Sequence, residues 1–326
     1  MEESKTADLS NPEKKNSPKI TIICSIQDSA SMNIKNHLLA LREWKKLQVS
    51  KAAGFPENSE FSKNSEFSED SDFPEDSEFS EVYESIDGKF RLVEIKEHHV
   101  FQDRIDQKLQ ALGFPASLII FASKHRSKDE INSLTVHCTG NPSSENRLGG
   151  RPRELAVSSP PAMKSILTEM KRLSGEKGLK YDVTLEVTHH GPTELSVPSI
   201  YAEIGSTEVQ WQDPVAGEVA AKAILAVSLK KVPVALGFGG GHYATRQTGL
   251  LLETGISFGH NFPKYRLESI DEALIKQAIE KSGADFVYFD RKSMKSADRK
   301  RVSEIVEKLG LSVLKESEIR EQYGQK

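Results

Sequence analysis

The chain has 326 residues, a formal net charge of −4 and two cysteines. This length allows one large α/β domain or two smaller ones, so stability requires neither a disulfide nor a metal. Neither Cys24 nor Cys138 belongs to a CxxC pair, which argues against a disulfide framework or a thiolate zinc site. No apolar run approaches a membrane span and no signal-peptide pattern opens the chain, so we expect a cytoplasmic protein with no membrane partner.

The acidic charge is concentrated in one segment. Residues 54–81 contain ten acidic residues and one lysine, a net charge of −9, which leaves +5 for the rest of the chain. A phenylalanine recurs there every sixth residue, and one apolar residue in six cannot offset the entropy of ordering the backbone. We therefore expect a disordered acidic insert over 54–81, preceded by a disordered tail over 1–18. The mildly basic remainder is compatible with a polyanionic partner.

Hydrophobic periodicity predicts strands and helices in alternation. The predicted strands cover 19–26, 90–95, 117–123, 181–187, 199–205, 232–239, 285–290 and 311–315. The predicted helices cover 31–44, 100–113, 162–173, 214–229, 271–282 and 297–309. This alternation is typical of an α/β fold with a mixed, largely parallel central sheet and helices on both faces. We divide it into an N-terminal part over 19–160 and a C-terminal part over 161–326.

The motif THHGP directly follows the predicted strand 181–187. It places Thr188, His189 and His190 at the carboxyl end of a strand, where α/β sheets carry their sites, and Gly191 then turns the chain. Because side chains alternate along a strand, two adjacent histidines cannot both face the core, and at least one should line a cleft. Neutral imidazole is a common zinc ligand and also a general base near neutral pH. A pair of surface or capped histidines is the alternative.

A glycine cluster, GFGGGHY, lies at the end of another predicted strand, 232–239. Three consecutive glycines indicate either backbone angles closed to other residues or amides brought close to a ligand. His242 and Tyr243 follow this loop. The phosphate-binding pattern GxxxxGK[ST] is absent, which argues against nucleotide hydrolysis.

Glu203 lies within the predicted apolar strand 199–205, where a carboxylate must be paired, hydrogen-bonded or bound to a metal unless it faces solvent. Each of three further histidines, His125, His137 and His260, ends an apolar run and is a candidate metal ligand or a structural histidine. Together with the histidines of the two motifs they indicate one shared cleft. The zinc-protease pattern HExxH is absent, and neither a strand-to-helix serine elbow nor a Cys/His arrangement is predicted, so we expect no covalent serine or cysteine mechanism.

Basic residues are clustered in the stretch DRKSMKSADRKR, 290–301, which holds six of them against two aspartates. Clustered lysine and arginine suit phosphate contacts, although a solvated helix face is the default interpretation. Lys292 and Lys295 are therefore candidate substrate contacts, as is Lys264 in the string FGHNFPKY.

Several of these strings carry a family resemblance. With THHGPTELSVPS, AEIGSTEVQW, ALGFGGGHYATRQT and FGHNFPKY, and with FASKHRSK and LTVHCTGN upstream, the chain resembles the D-aminoacyl-tRNA deacylases of the archaeal and plant type, and archaeal members most closely. The resemblance runs from about Lys19 to Lys315. The chain departs from the family pattern in its N-terminal tail, in its acidic insert and at Thr245, where the family usually has proline.

This resemblance implies a hydrolase/phosphorylase-like fold and hydrolysis of the ester between a D-amino acid and the terminal ribose of tRNA, with zinc as cofactor. The resemblance does not assign roles to single residues; our hypothesis is that His189, His190, His242 and Glu203 bind zinc or activate water. The alternative is a structural zinc, with a ribose hydroxyl assisting the chemistry. The remaining site candidates would contact the substrate: Thr188, Gly191, Gly239, Gly240, Gly241, Tyr243, Lys264, Lys292 and Lys295. An aminoacyl ester is activated, so water held by a metal or a histidine is a sufficient nucleophile. We expect a monomer or a homodimer.

Two other functions fit the same residues. A metal-dependent hydrolase of a small amide or ester would turn over its substrate without RNA. A non-catalytic RNA-binding protein would hold phosphate at the glycine loop and keep its affinity when His189 or His242 is replaced.

Overall fold

Strands and helices alternate through the described part of the chain, which in this computed structural model comprises residues 18–47 and 78–324. The strands are β1 (Lys19–Ser25), β2 (Trp44–Lys46), β3 (Phe79–Ser85), β4 (Phe90–Ile95), β5 (Ala116–Arg126), β6 (Ser133–His137), β7 (Gly140–Asn141), β8 (Glu154–Leu155), β9 (Asp182–Leu185), β10 (Ser199–Ser206), β11 (Val234–Phe238), β12 (Ser257–Phe262), β13 (Phe286–Phe289) and β14 (Val313–Leu314). The helices are α1 (Ser29–Leu41), α2 (Ile105–Ala111), α3 (Pro160–Glu176), α4 (Glu208–Trp211), α5 (Pro214–Leu225), α6 (Thr245–Glu253), α7 (Glu272–Ser282), α8 (Ser296–Lys308) and α9 (Glu316–Tyr323).

Local sequence signals fix several helix ends. The Asp28 side chain accepts a hydrogen bond from Ser31 N at the start of α1, and Asp271 accepts one from Leu274 N at the start of α7. Pro214 is the first residue of α5, directly after the capping Asp213. None of the helices in the described ranges is both long and apolar enough to cross a membrane.

The central sheet has eight strands in the order β2-β3-β4-β1-β5-β10-β6-β9. Strands β4, β1, β5 and β10 are parallel to one another. At one edge β3 runs antiparallel to both β4 and β2, and at the other edge β6 runs antiparallel to β10 while β9 is parallel to β6. This confirms the predicted mixed, largely parallel sheet. The central sheet contains strands from both the N-terminal part (19–160) and the C-terminal part (161–326) of the chain.

A second sheet lies beside the first one. Its four strands, in the order β12-β11-β13-β14, are all parallel. The two sheets meet at the end of β9, where Glu186 pairs with Tyr243 and the backbone N–H of Val187 donates to His242 O at 3.0 Å. The sequence predicted one sheet and did not indicate this junction.

Helices cover both faces of the central sheet, as predicted. On one face, Ile22 and its equivalents pack against α1, α3 and α5, and on the other face Ile23 packs against α2. In the second sheet, β11, β12 and β13 pack against α7 and α8 on one side.

Two sequence predictions need correction. The acidic insert was expected to continue to residue 81, but Phe79 is buried and begins strand β3, because it pairs with Ile95 of β4. The tail over 1–17 and the insert over 48–77 lie outside the described residues. The helix predicted over 100–113 is shorter, with a 3-10 turn at His99–Phe101 and α2 starting at Ile105. The elements α6, β12 and α9 were not predicted.

Candidate active site

The THHGP motif lies at the junction of the two sheets. Beyond β9 the chain runs along the second sheet, where the Thr188 backbone N–H donates to Asn261 O at 2.8 Å. His190 has a φ of +47°, and Gly191 follows in close contact with the backbone of Gly150. This turn points two adjacent imidazoles out of the strand, which explains why neither is in the core.

The glycine loop brings a third imidazole to the same place. Gly239 and Gly240 adopt φ values of +98° and +82°, angles that favour glycine, and they turn the chain after β11. Their amides donate to Phe262 O at 2.8 Å and to Ser293 Oγ at 2.6 Å, so these two donors are already used within the protein. Gly241 is exposed and its amide makes no hydrogen bond to the described residues.

Five of the predicted histidines converge at this junction. The ring centroids of His189 and His190 are 4.4 Å apart, and those of His189 and His242 are 4.8 Å apart. His137, at the end of β6, lies 4.5 Å from His189, and His125, on β5, lies 5.4 Å from His242. With Glu186 and Glu203 these five form what we call the histidine–glutamate cluster.

His260 does not join the cluster. It is fully buried on β12, where one ring nitrogen lies 3.0 Å from Ala156 O and the other lies 3.1 Å from Thr188 Oγ1. Burial lowers the pKa of His260 to about 3. Both nitrogens are engaged, so His260 is a structural histidine that holds Thr188 in place.

Glu186 is the centre of the cluster and was not singled out from the sequence. Its carboxylate oxygens lie 2.7 Å from His242 Nε2, 3.0 Å from His125 Nδ1 and 3.6 Å from His189 Nε2. Burial alone raises the pKa of Glu186, but the contacts with His125 and His242 outweigh burial and hold this pKa well below its usual range. The signal in the sequence was the one used for Glu203, a carboxylate at the end of an apolar strand.

Glu203 lies behind the cluster. It is 2% exposed, and its Oε2 is 3.4 Å from both His137 Nε2 and Thr135 Oγ1. Burial raises the pKa of Glu203 more strongly than the neighbouring His137 lowers it. Ligand atoms of Glu203, His137 and Glu186 lie within 4.8 Å of one another, so the role of Glu203 as a metal ligand stays a prediction.

Three imidazoles of the cluster are fixed in one tautomer. The Nδ1 atoms of His137, His189 and His190 lie 3.2, 2.8 and 2.7 Å from the carbonyl oxygens of Cys138, Val187 and Gly191. A carbonyl only accepts, so each Nδ1 carries a proton, and neutral His189 and His190 keep a lone pair on Nε2. Burial lowers the pKa of His137, but the nearby Glu203 outweighs burial and raises this pKa above its usual value. Burial lowers the pKa of His190 to about 3 and, together with the neighbouring imidazoles, lowers that of His189 well below its usual value.

The donor set fits a divalent cation of the zinc type. Ligand atoms of His137, His189 and His190 lie within 4.8 Å of one another, and so do those of His125, Glu186 and His242. Metal-binding histidines usually donate their second N–H to a carbonyl or carboxylate, as the first three do here. Both carboxylate oxygens of Glu186 and Nε2 of His137 are buried without a hydrogen bond of regular geometry. Polar atoms of this kind suit a metal.

A cavity of about 460 Å³ opens onto the cluster. His189, His190 and His242 line it, as does Thr188. Two further segments line it, the loop around Leu148 and the segment with Pro263, Tyr265 and Arg266. Tyr243 lies beside the cavity and its hydroxyl is 2.9 Å from His125 Nε2.

The predicted lysine contacts lie outside the cavity lining. Lys264 is exposed, and its backbone N–H donates to Gly240 O at 3.0 Å, next to the glycine loop. Lys292 is exposed beside Ser293, the partner of Gly240. Lys295 is paired with Glu268 at 3.1 Å, whereas Lys264 and Lys292 have no carboxylate partner among the described residues.

The sequence that forms this site is similar to that of a known protein family. The family model described as D-aminoacyl-tRNA deacylase matches residues 112–314. The chain belongs to the D-aminoacyl-tRNA deacylase family. The curated D-aminoacyl-tRNA deacylase of Methanosarcina mazei is 73% identical over 96% of this chain and 97% of its own length. That of Archaeoglobus fulgidus is 37% identical, over 93% of this chain and 98% of its own.

One solved structure has the same fold over nearly the whole chain. A crystal structure of a conserved protein of unknown function aligns over 95% of this chain and 100% of its own, with a TM-score of 0.81 and 35% identity. A purine nucleoside phosphorylase from Toxoplasma gondii aligns with a TM-score of only 0.35 and 12% identity, over 67% of this chain and 91% of its own. The range matched by the deacylase model contains the whole histidine–glutamate cluster.

Proposed function

We propose that this protein hydrolyses the ester bond of D-aminoacyl-tRNA at the histidine–glutamate cluster and releases free D-amino acid and tRNA. The curated relatives that cover nearly the whole chain carry the name of this activity. The observation that supports the location is the convergence of five imidazoles and the Glu186 carboxylate at a cavity of about 460 Å³. We further propose that it acts in the cytoplasm, as a monomer or a homodimer.

Zinc is the proposed cofactor, held by His137, His189 and His190. These are the three imidazoles whose Nδ1 atoms lie beside backbone carbonyls, which leaves three Nε2 atoms for one ion. When bound, zinc lowers the pKa of water and polarises an ester carbonyl. Glu203, behind His137, keeps that ring in place.

His242 and Glu186 form the proposed acid–base pair. The carboxylate lies 2.7 Å from His242 Nε2, where it orients the imidazole and stabilises its protonated form. His242 takes a proton from water as the oxygen attacks the ester carbonyl carbon. The same proton then passes to the ribose oxygen as the C–O bond breaks. No covalent enzyme intermediate is required.

The decisive experiment compares the deacylation of D-tyrosyl-tRNA and L-tyrosyl-tRNA by the purified protein. We expect hydrolysis of the D-ester at a rate well above that of the L-ester, loss of activity with a chelator, and recovery with zinc. Equal rates on both esters contradict chiral proofreading. Activity that survives the chelator contradicts only the metal.

Variants in the cluster locate the reaction. His242→Ala should abolish deacylation, whereas His37→Ala, a half-buried position on α1 outside the cavity lining, should leave it unchanged. RNA binding by a protein that deacylates neither ester would favour a non-catalytic role instead.

A further inference from the structure

Tyr265 is a large aromatic side chain that is exposed where the cavity opens. It is 59% exposed although it lines the same cavity as His189, His190 and His242. Arg266, its neighbour in sequence, also lines the cavity, is exposed, and has no carboxylate partner in the described ranges. An exposed ring beside an unpaired guanidinium at a cavity rim is an arrangement that binds nucleotides, because bases stack on aromatic faces and guanidinium groups hold phosphates.

We propose that Tyr265 and Arg266 form the subsite for the 3′-terminal adenosine of the tRNA, with the adenine stacked on the Tyr265 ring and the adjacent phosphate bound by Arg266. This inference rests on the proposed function, since it assigns the nucleotide end of the same substrate. Tyr265 is then a specificity residue for RNA and takes no part in bond breaking.

The two residues are held firmly in relation to the acid–base pair. They belong to a 3-10 helix, Lys264–Ser269, whose Leu267 is fully buried. The Lys264 backbone N–H donates to Gly240 O at 3.0 Å, which ties this helix to the loop carrying His242. On the other side, the Arg301 guanidinium donates to Leu267 O and, at 2.5 Å, to Ile270 O. A fixed platform loses little entropy when a base stacks on it.

The loop around Leu148, which lines another part of the cavity, suits the aminoacyl side chain better than the Tyr265 segment does. Leu148 is 62% exposed, and the loop is joined to the THHGP turn through the Gly191 backbone N–H, which donates to Leu148 O at 2.9 Å. Arg147 in this loop is already paired with Glu145 at 2.9 Å. In this arrangement the ribose ester lies over the histidines, the adenosine lies on Tyr265, and the amino acid lies against the loop around Leu148.

The test uses three variants of the full chain: Tyr265→Ala, Tyr265→Phe and Arg266→Ala. On D-tyrosyl-tRNA, Tyr265→Ala should raise KM by about 5- to 100-fold, the range expected for one stacked base, with kcat within about threefold of the unmodified protein. Tyr265→Phe keeps the ring face and should behave as the unmodified protein. Arg266→Ala should raise KM and reduce its dependence on salt.

Calorimetric titration with adenosine 5′-monophosphate provides a second readout that needs no catalysis. The unmodified protein and Tyr265→Phe should bind this nucleotide, and Tyr265→Ala should bind it at least fivefold more weakly. Equal binding by Tyr265→Ala and Tyr265→Phe overturns the subsite. A KM increase in Tyr265→Ala that varies with the D-amino acid instead of appearing with all of them overturns it as well, because Tyr265 would then contact the aminoacyl group. An absence of deacylation with intact nucleotide binding would reject the proposed function alone.

Discussion

Oε2 of Glu186 lies 2.7 Å from Nε2 of His242, across the junction of the two sheets. The carboxylate is fully buried, whereas the His242 side chain is 36% exposed and lines the cavity. A buried acid therefore contacts the one histidine of the cluster that is supplied by the second sheet. The contact links the position of the His242 imidazole, our proposed acid–base group, to the packing of the sheets.

Glu186→Gln should reduce kcat for D-aminoacyl-tRNA on the order of 10²- to 10⁴-fold, the contribution of a correctly oriented acid–base group. Glutamine keeps the shape of the side chain but removes the charge that stabilises a protonated His242. Glu203→Gln is the matched control. Burial raises the pKa of Glu203, which favours its uncharged form. Replacing this side chain by a neutral amide should therefore reduce kcat by less than about tenfold. Single-turnover deacylation measures both, and equal losses would contradict the separate roles.

His260 makes the stability of the protein depend on pH. In the unfolded chain its imidazole takes up a proton near pH 6.5, whereas in the folded protein burial lowers its pKa to about 3. As pH falls from 6.5 towards 3, the unfolded state binds this proton first, so the free energy of unfolding decreases.

His260→Asn removes this contribution. Between pH 7.5 and pH 5 the variant should lose about 2 kcal/mol less of its free energy of unfolding than the unmodified protein, whatever the substitution costs at neutral pH. Urea unfolding at the two pH values measures the difference. Identical losses would show that His260 is protonated at the same pH in both states.

Gly191→Ala should destabilise the protein by about 1–3 kcal/mol. A Cβ at this position would lie 2.6 Å from Val100 O and even closer to Gly150 N, and these backbone atoms cannot move aside cheaply. Gly241→Ala is the control, because nothing lies within 4 Å of its Cβ position, and its stability should change by less than about 0.5 kcal/mol. Thermal or urea unfolding decides, and equal effects would contradict the close packing at Gly191.

Lys264 and Lys292 should contribute to tRNA affinity through phosphate contacts. Replacing both by alanine should reduce the slope of log affinity against log salt concentration by roughly two, one for each lysine. A double alanine variant at Lys171 and Lys180, two exposed positions outside the cavity lining, should leave the slope unchanged. Filter binding over a range of salt concentrations measures both, and an unchanged slope in the first pair would remove these lysines from the interface.

The parts of the site that follow strand ends could be predicted from the sequence. The apolar run before THHGP and the alternation of side chains place His189 and His190 outside the core. The glycine run before His242 predicts unusual backbone angles, and Gly239 and Gly240 have them. These are local signals, because periodicity and glycine content depend only on neighbouring residues.

The contacts that give the site its chemistry are not local. Glu186 reads as one more residue of an apolar strand until β9 is placed against the loop after β11, which brings His242 to its carboxylate. His260 ends an apolar run as the cluster histidines do. Strand β12 is buried along its whole length, however, so the His260 imidazole packs inside the protein and does not line the cavity. Hydrophobic periodicity also cannot predict that β6 runs antiparallel to β10 or that four strands form a separate second sheet, because both depend on contacts between distant residues.

The two sheets supply different parts of the proposed centre. His137, His189 and His190 belong to the first sheet and its extension, whereas His242 and the Tyr265 platform come from the second. Loosening the junction of the two sheets, for example at the contact of 3.0 Å between Thr184 Oγ1 and Thr248 Oγ1, would leave His137, His189 and His190 together but separate His242 from Glu186. A preparation can then carry its full complement of metal and still turn over slowly, so elemental analysis would overstate how much active enzyme a sample contains.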